Sequence, residues 1–304
     1  MNRKILDVIA LVTLAVLTFG IIYAGAADTG GAPIAENLEI STYRSVSVGG
    51  QLKATDPEGD ILTYEITTPP IKGEIELKDN GNFVYTPAEG KRGRDYFGYK
   101  AFDNKGNMSE EATVIIKIEK QKSAVSYSDM DGNGAGCAAV ALADNNIFIG
   151  ENIGGKYVFN PNAPVTRGEF LTMCMKLSDS KLLSGVITTG FSDDNSIPAY
   201  LKSYVSTALL DGVITGYFNG TSAAVFNSGS PISYPEAAVM LSKALGLSDV
   251  SSKIDYGGSA PAWAAQACAN LSACRISDYQ QGAQLSRADG AKLLYNAMLV
   301  LKNR

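Results

Sequence analysis

Three short segments in the second half of the chain place a hydroxyl residue three positions before a carboxylate, at the start of an apolar helix pattern. They are Thr166-Arg-Gly-Glu169, Ser233-Tyr-Pro-Glu236 and Ser286-Arg-Ala-Asp289. In such a capping box the hydroxyl accepts from the amide three residues on, and the carboxylate accepts from the amide of the capping residue. The pattern therefore predicts three helix N-termini capped by these side chains.

Two of the boxes carry an arginine directly after the cap, at Arg167 and Arg287. A residue at this position is expected to take part neither in the capping hydrogen bonds nor in a hydrophobic core. A helix N-terminus offers amide donors and partial positive charge, and a guanidinium offers a planar fork to a carboxylate. We therefore expect a small cationic site at each arginine, with solvated surface arginines as the alternative. We also expect Arg167→Ala to leave the fold intact. Tyr234 replaces the arginine in the second box, which predicts a second groove without a guanidinium.

The boxes belong to a longer repeated pattern. An aromatic-x-Asp or similar start lies upstream of each box, with its carboxylate at Asp129, Asp193 or Asp255, and an amphipathic stretch and a turn follow. In this order the pattern resembles the S-layer homology family, in three tandem copies at 126–180, 188–249 and 252–304. The resemblance implies a mainly α-helical, pseudo-threefold unit. It also implies noncovalent anchoring to the bacterial cell wall, through pyruvylated secondary cell-wall polysaccharide bound in grooves between the copies.

The candidate polysaccharide-binding residues follow from this resemblance, and a structural alternative stands beside most of them. The box carboxylates could serve only as caps, and the three aspartates could instead brace turns. Trp263 could stack on a sugar or pack between repeats. The first copy is the strongest candidate, because the third copy has a shorter span before its box. The candidates are Asp129, Arg167, Glu169, Asp193, Asp255, Trp263, Arg287 and Asp289.

The first 26 residues have the pattern of a secretory signal peptide. A charged start is followed by an apolar run from Val8 to Tyr23 and by small residues ending at Ala26, the expected cleavage position. An uncleaved N-terminal anchor is the alternative. With cleavage, we expect a protein of the cell wall or surface that has no membrane partner.

The sequence pattern of residues 27–120 predicts an all-β sandwich. Short strand-like runs in which apolar and polar residues alternate, such as 113–118, are separated by turn sequences. The motifs at 54–60, 81–87 and 93–103 resemble bacterial cadherin-like, immunoglobulin-like modules. The fold class is therefore multidomain, with an immunoglobulin/cadherin-like sandwich, a linker at 121–125 and the helical repeat unit.

Asp56, Asp60 and Asp103 lie in turns of the predicted sandwich. Carboxylate oxygens suit a calcium ion, although aspartates are also common in turns because they bond the local backbone. No other cofactor is expected. The four cysteines are interpreted as small buried apolar residues, and a bond between Cys137 and Cys174 is the alternative.

Enzyme activity is not expected. The chain contains no histidine, which excludes Ser-His-Asp triads and histidine-based zinc sites. A formal net charge of −5 argues against a nucleic-acid partner. The leading hypothesis is a wall-anchored surface protein whose sandwich is a spacer or an S-layer-like structural module, with other surface proteins as further partners. The alternative is an adhesin or binding module with an exposed aromatic row on the sandwich, using Tyr85, Tyr96 or Tyr99.

Overall fold

The computed structural model describes residues 30–78, 80–218, 223–251, 260–278 and 284–302. Among these residues, strands predominate between Ile34 and Glu119, and helices predominate from Gly136 onward. The predicted change from an all-β region to a mainly helical region is therefore confirmed. The predicted signal peptide and Asp255 lie outside the described residues.

The first region is a β-sandwich. Its strands are β1 (Ile34–Ala35), β2 (Leu38–Tyr43), β3 (Val48–Gln51), β4 (Ala54–Thr55), β5 (Thr63–Thr68), β6 (Gly73–Leu77), β7 (Asn82–Pro87), β8 (Gly93–Phe102) and β9 (Ala112–Glu119). One sheet has the strand order β2-β9-β8-β5 and the other has the order β3-β7-β6. β2 runs parallel to β9, and the other pairs in the two sheets are antiparallel.

The two sheets enclose an apolar core because alternate residues point inward. Every second residue of β7 and β9 is buried, as the two-residue period of a strand requires. Phe83 and Phe97 meet edge to face in this core, with ring centroids 5.3 Å apart. The core therefore joins side chains from both sheets.

Tyr85, Tyr96 and Tyr99 do not form the exposed aromatic row that would favour an adhesin. Tyr85 and Tyr99 are fully buried, and Tyr96 is the one of these three that is exposed. The Tyr85 hydroxyl donates to the buried Asp95 carboxylate at 2.8 Å, and the Tyr99 hydroxyl donates to the Lys53 carbonyl at 2.7 Å. These rings are core residues because they share the inward phase of their strands.

The second region contains six described helices, two hairpins and a short 3-10 helix (Asp194–Ser196). The hairpins pair β10 (Glu151–Ile153) with β11 (Lys156–Val158), and β12 (Tyr217–Phe218) with β13 (Ala224–Val225). The helices are α1 (Gly136–Asp144), α2 (Arg167–Leu177), α3 (Ala199–Leu210), α4 (Tyr234–Ala244), α5 (Ala265–Ala273) and α6 (Arg287–Lys302). None of these helices is long and apolar enough to cross a membrane.

Helix α2 lies at the centre of the helical region. It contacts α3, α4 and α6, whereas α1 packs on α6 and α5 packs on α4. Cys174 of α2 is completely buried, as are Leu241 of α4 and Leu294 of α6. The three residues correspond in the sequence, because each lies eight positions after the hydroxyl residue of its capping box. The interpretation of the cysteines as apolar residues is confirmed for Cys174, which is a free thiol.

The other cysteines are also free, so the alternative bond between Cys137 and Cys174 does not form. Cys137 and Cys268 are buried, and Cys274 is half-buried. Cys137 belongs to the hydrophobic core of the sandwich although it lies in α1. Its thiol donates to the Ser41 carbonyl at 3.3 Å, and burial raises its pKa to about 11.

The sandwich and the helical region meet through close backbone contacts. The Gly49 amide donates to the Gly134 carbonyl at 2.8 Å, and the Cys137 amide donates to the Ser47 carbonyl at 3.0 Å. A Cβ atom added at Gly136 would lie 2.9 Å from the Ser47 carbonyl oxygen. Because backbone atoms cannot rotate away, glycine is required at this contact.

Residues 121–125, the predicted linker, are held against α1. The amides of Lys122 and Ser123 donate to the Asp144 carboxylate at 2.9 and 2.7 Å, and Val125 is buried. The two regions are therefore joined by a fixed segment as well as by direct contacts.

The Gly136 contact yields a stability prediction. Gly136→Ala should lower the free energy of unfolding by about 1–3 kcal/mol, because the added methyl group forces the sandwich and α1 apart. Chemical denaturation of the full chain measures this. The matched control is Gly229→Ala, since an added Cβ there meets nothing within 4 Å. Equal stability of the Gly136 variant and the wild type would show that the contact is not tight.

Candidate functional site

Three backbone hydrogen bonds join the segments that precede α2, α4 and α6. The Val165 amide donates to the Leu285 carbonyl at 3.0 Å, the Leu285 amide to the Ile232 carbonyl at 2.9 Å, and the Ile232 amide to the Val165 carbonyl at 3.0 Å. Each residue donates one bond and accepts one, so the bonds form a closed ring. All three side chains are buried. The ring fixes the N-termini of the three helices beside one another.

The predicted caps directly precede these helices. At α2 the Glu169 amide donates to the Thr166 hydroxyl at 3.2 Å, and the Thr166 amide donates to the Glu169 carboxylate at 2.9 Å. At α4 the amide and the hydroxyl of Ser233 both donate to Glu236, each at 2.8 Å. One oxygen of Glu169 and one of Glu236 therefore accept hydrogen bonds at the helix N-termini. The other oxygen of each contacts a residue of the grooves described below.

The first amides of α2 and α6 are not open to a ligand, so the expectation of exposed amide donors is wrong. The amides of Arg167 and Gly168 donate to the carbonyls of Ser230 and Ser228, each at 2.9 Å. Carbonyls in residues 161–163 accept from the first two amides of α6 in the same way. Because a neighbouring segment satisfies these donors, an anion site here must be built from side chains.

Asp129 and Asp193 hold the turns that follow the two hairpins. The Asp129 carboxylate accepts from the amides of Phe159 and Asn160 at 2.9 and 2.7 Å. Asp193 makes the same pair of bonds to Phe226, at 2.9 Å, and to the next amide, at 2.8 Å. In both aspartates each oxygen bonds a backbone donor, which is the bracing role that the sequence left open.

Arg167 extends from α2 to the hairpin β12-β13. Its side chain is buried, its Nε donates to the Phe226 carbonyl at 3.0 Å, and a terminal nitrogen lies 3.4 Å from Glu236. The guanidinium carbon lies 4.3 Å from the ring centroid of Tyr217 and 5.3 Å from that of Phe226, within the range of cation–π attraction. The expectation that this arginine plays no part in the core is therefore wrong.

Arg167 lines a pocket of about 430 Å³, which we call the second groove. Tyr217, Glu236, Lys243 and Trp263 also line it, together with apolar residues of α4 and of the turn before β12. Trp263 is 63% exposed, so packing between repeats does not account for its ring. The prediction that the second groove lacks a guanidinium is wrong, because the arginine comes from the preceding helix.

The charges of the second groove are coupled through Glu236, which accepts a hydrogen bond from the Tyr217 hydroxyl. Burial alone would raise the pKa of Glu236, but bonds from Tyr217 and Ser233 and the charge of Arg167 hold it below its ordinary value. Burial lowers the pKa of the Arg167 guanidinium, and the charge of Glu236 opposes this. With Lys243, the groove combines two cations and one carboxylate.

Arg287 extends from α6 to the hairpin β10-β11, as Arg167 extends from α2 to the hairpin β12-β13. Its two terminal nitrogens lie 2.8 Å from Glu151 and 3.2 Å from Glu169. One of them also donates to the Phe159 carbonyl at 3.3 Å, and the guanidinium carbon lies 5.4 Å from the Phe148 ring centroid. We call this group of residues the first groove. Here the arginine faces two carboxylates, whereas Arg167 faces one.

Tyr234 takes the place of the arginine in the third groove, a pocket of about 160 Å³. Its buried side chain lines this pocket with Asp289 and Lys292. Asp289 also belongs to the cap of α6, where its amide donates to the Ser286 hydroxyl at 3.1 Å. The groove without a guanidinium is therefore the third one, and its volume is less than half that of the second.

Sequence reasoning missed the residues that the neighbouring segment brings to each arginine. These include Glu151, Tyr217 and Lys243. A signal was present, since Glu151 and Tyr217 each follow a glycine that ends an apolar turn. A pattern assigned around one capping box does not reveal that its arginine contacts a hairpin remote in sequence, because that contact depends on how the helices are arranged around the ring of backbone hydrogen bonds.

Asp56, Asp60 and Asp103 come together in the sandwich, with carboxylate oxygens within 4.8 Å of one another. Their oxygens suit a calcium ion, and one buried oxygen of Asp56 has no hydrogen-bond partner among the described residues. Asp103, however, accepts from the amides of Lys105 and Asn107, each at 2.8 Å. The Lys105 ammonium lies 3.3 Å from Asp60. The three carboxylates fit a cation, and the Lys105 ammonium supplies a positive charge beside them.

The molecule is thus a β-sandwich joined to a helical unit that has grooves beside its helix N-termini. Residues 31–120 match the family model of the bacterial cadherin-like domain, and residues 126–171 match that of the S-layer homology domain. The second match runs from the start of the helical region into α2. An S-layer homology domain indicates cell-wall anchoring and therefore association with the cell surface. No curated protein matches the chain.

Solved structures resemble parts of the chain weakly. An endo-fucoidan hydrolase of glycoside hydrolase family 107 has a TM-score of 0.25 and 20% identity over 32% of this chain and 15% of its own. Human protocadherin-24 has a TM-score of 0.26 and 18% identity over 31% of this chain and 54% of its own. For an adhesin from Streptococcus sanguinis the values are 0.25 and 16%, over 33% and 62%. This chain thus spans less than two thirds of each, and such low scores bear on neither its fold nor its function.

The burial of Arg167 reverses the expected effect of its removal. Arg167→Ala should lower the free energy of unfolding by about 1.5–3 kcal/mol, because it leaves the Phe226 carbonyl and Glu236 without a charged partner. Thr166→Ala should cost about 1 kcal/mol through the lost cap. Urea denaturation of the full chain measures both, with the exposed Arg92→Ala as control. A loss at Arg167 smaller than the loss at Thr166 would contradict the buried network.

Proposed function

We propose that the chain is a surface protein held noncovalently on the bacterial cell wall by an acidic, pyruvylated secondary cell-wall polysaccharide. The observation that carries the proposal is the second groove. It places a buried guanidinium, the Lys243 ammonium and the exposed Trp263 ring around an apolar pocket of about 430 Å³. A pyruvylated sugar offers a carboxylate to the cations, a methyl group to the apolar wall and a sugar face to the aromatic ring.

We propose further that residues 188–249 and 252–304 are the second and third copies of the S-layer homology unit, arranged with pseudo-threefold symmetry. The closed ring of hydrogen bonds among Val165, Ile232 and Leu285 supports this arrangement, because each copy contributes one equivalent residue. The two aspartate-braced turns support equivalence of the first two copies. Asp255, the third brace in this scheme, lies outside the described residues.

The sandwich is proposed to act as a spacer or structural module between the wall and the cell exterior. The buried positions of Tyr85 and Tyr99 support this role over that of an adhesin. Other surface proteins remain proposed partners of this module. The proposal is for a binding protein and not for an enzyme, which agrees with the absence of histidine from the sequence.

Wall binding can be tested with the full chain. Lys243→Ala and Trp263→Ala should each weaken binding about tenfold, or roughly 1.4 kcal/mol, since each removes one kind of contact to an acidic sugar. Calorimetric titration with pyruvylated wall polysaccharide measures the affinity, and sedimentation with purified cell walls measures anchoring.

Lys181→Ala and Tyr200→Ala are the controls for these two variants, because both residues are exposed and lie outside the lining of the second groove. The depyruvylated polysaccharide is the ligand control and should bind much more weakly. Wild-type affinity in both groove variants would rule out the second groove as the site. Equal binding of the depyruvylated polysaccharide would rule out the carboxylate as the recognised group.

For the acidic cluster of the sandwich, we propose that the Lys105 ammonium balances the charge of the carboxylates in place of the calcium ion suggested by the sequence. A calcium chelator should then leave the melting temperature of the wild type unchanged. Lys105→Met should lower it, and added calcium should restore it, because an ion bound only by the folded state stabilises that state. Lys91→Met, at an exposed position, is the control. A wild-type melting temperature that falls on chelation would instead establish a resident calcium ion.

A further inference from the structure

The first and second grooves share a backbone frame, but the residue that follows the glycine before each hairpin differs between them. In the hairpin β10-β11, Glu151 is paired with Val158, and in β12-β13, Tyr217 is paired with Val225. Each of the two follows a glycine with a φ of 75°. The side chains therefore stand at corresponding positions, where one groove has a carboxylate and the other has a phenol.

Glu151 makes the contact that an acidic ligand would make. Its oxygen lies 2.8 Å from a terminal nitrogen of Arg287, and its side chain is 48% exposed whereas that of Arg287 is 14% exposed. The hydrogen bond from Arg287, reinforced by its charge, holds the pKa of Glu151 below its ordinary value. A partly solvated, ionised carboxylate thus lies against the guanidinium. Glu169, by contrast, is already committed to the cap of α2.

The second groove presents no such carboxylate. Tyr217 places its ring 4.3 Å from the guanidinium carbon of Arg167, and its hydroxyl donates to Glu236. Among the described residues, Glu236 is the one carboxylate within ion-pair distance of Arg167. Like Glu169, Glu236 belongs to a helix cap. The added carboxylate of the first groove is therefore the difference between the two sites.

The balance of charge favours anion binding in the second groove over the first. Lys176 and Lys243 occupy the same position in α2 and α4, and the Lys176 ammonium donates to the Ile147 carbonyl at 3.4 Å beside the first groove. The first groove then has two cations and two carboxylates, whereas the second has two cations and one carboxylate. An incoming anion gains more attraction in the second groove.

We propose that Glu151 is an internal ligand of Arg287, which closes the first groove to acidic sugars, so that the chain binds one pyruvylated sugar, in the second groove. The inference rests on the proposed function and adds the number and location of the competent sites. Glu151 is tethered beside its cation, so its effective concentration there is high. A free glycan must displace it to bind Arg287, whereas Arg167 requires no such exchange.

The test is calorimetric titration of the full chain with a pyruvylated methyl glycoside, with the depyruvylated glycoside as the ligand control. The wild type should bind one equivalent. Glu151→Gln should bind two, because the amide keeps the shape of the side chain but removes its charge. Glu151→Gln combined with Arg287→Gln should return to one equivalent, which assigns the added site to the first groove. Glu89→Gln, an exposed carboxylate of the sandwich, should remain at one.

The outcomes separate the inference from the function on which it rests. Two equivalents in the wild type, or one equivalent in both the wild type and Glu151→Gln, would overturn the inference while leaving the binding function in place. Absence of binding in both the wild type and Glu151→Gln would overturn the proposed function. Binding that appears only in Glu151→Gln would support the internal ligand and exclude the second groove. Melting of each variant near the wild-type temperature verifies that the count refers to folded protein.

Discussion

The arrangement of the helical region depends on the ring of backbone hydrogen bonds among Val165, Ile232 and Leu285. Each bond joins segments that are far apart in sequence, and each residue is buried, so the ring holds only if all three segments are in place. The ring sets each helix start against a neighbouring segment. The first amides of α2 and α6 are consumed in that contact, which leaves side chains as the means of recognising a ligand.

One capping pattern therefore produces three different grooves. Arg167 meets Tyr217 and a single cap carboxylate, Arg287 meets Glu151 as well as a cap carboxylate, and Tyr234 fills the remaining position without a charge. The backbone supplies the same frame to the first two, and the residue after the hairpin glycine decides their charge. The residue at this position, Glu151 or Tyr217, thus sets how many carboxylates face the arginine.

The sandwich is held directly against the helical region. The Gly49 and Gly134 backbones touch, Cys137 of α1 enters the sandwich core, and the segment at 121–125 bonds to Asp144. These contacts give the sandwich a set orientation relative to the grooves of the helical region. Lys105 places a cation beside Asp60, in the acidic cluster that the sequence predicts as a calcium site.

The sequence by itself determined the local structure. The boxes at Thr166, Ser233 and Ser286 precede helices, and alternation in β7 and β9 gives the buried face of the sandwich, because caps and strand periods depend only on near neighbours. Only the tertiary structure decided where Arg167 and Arg287 lie. Each guanidinium is buried or paired by residues that are remote in sequence. Its role as a ligand site, an ion pair or a core residue follows from which segment the ring places opposite it, and no pattern within one copy contains that information.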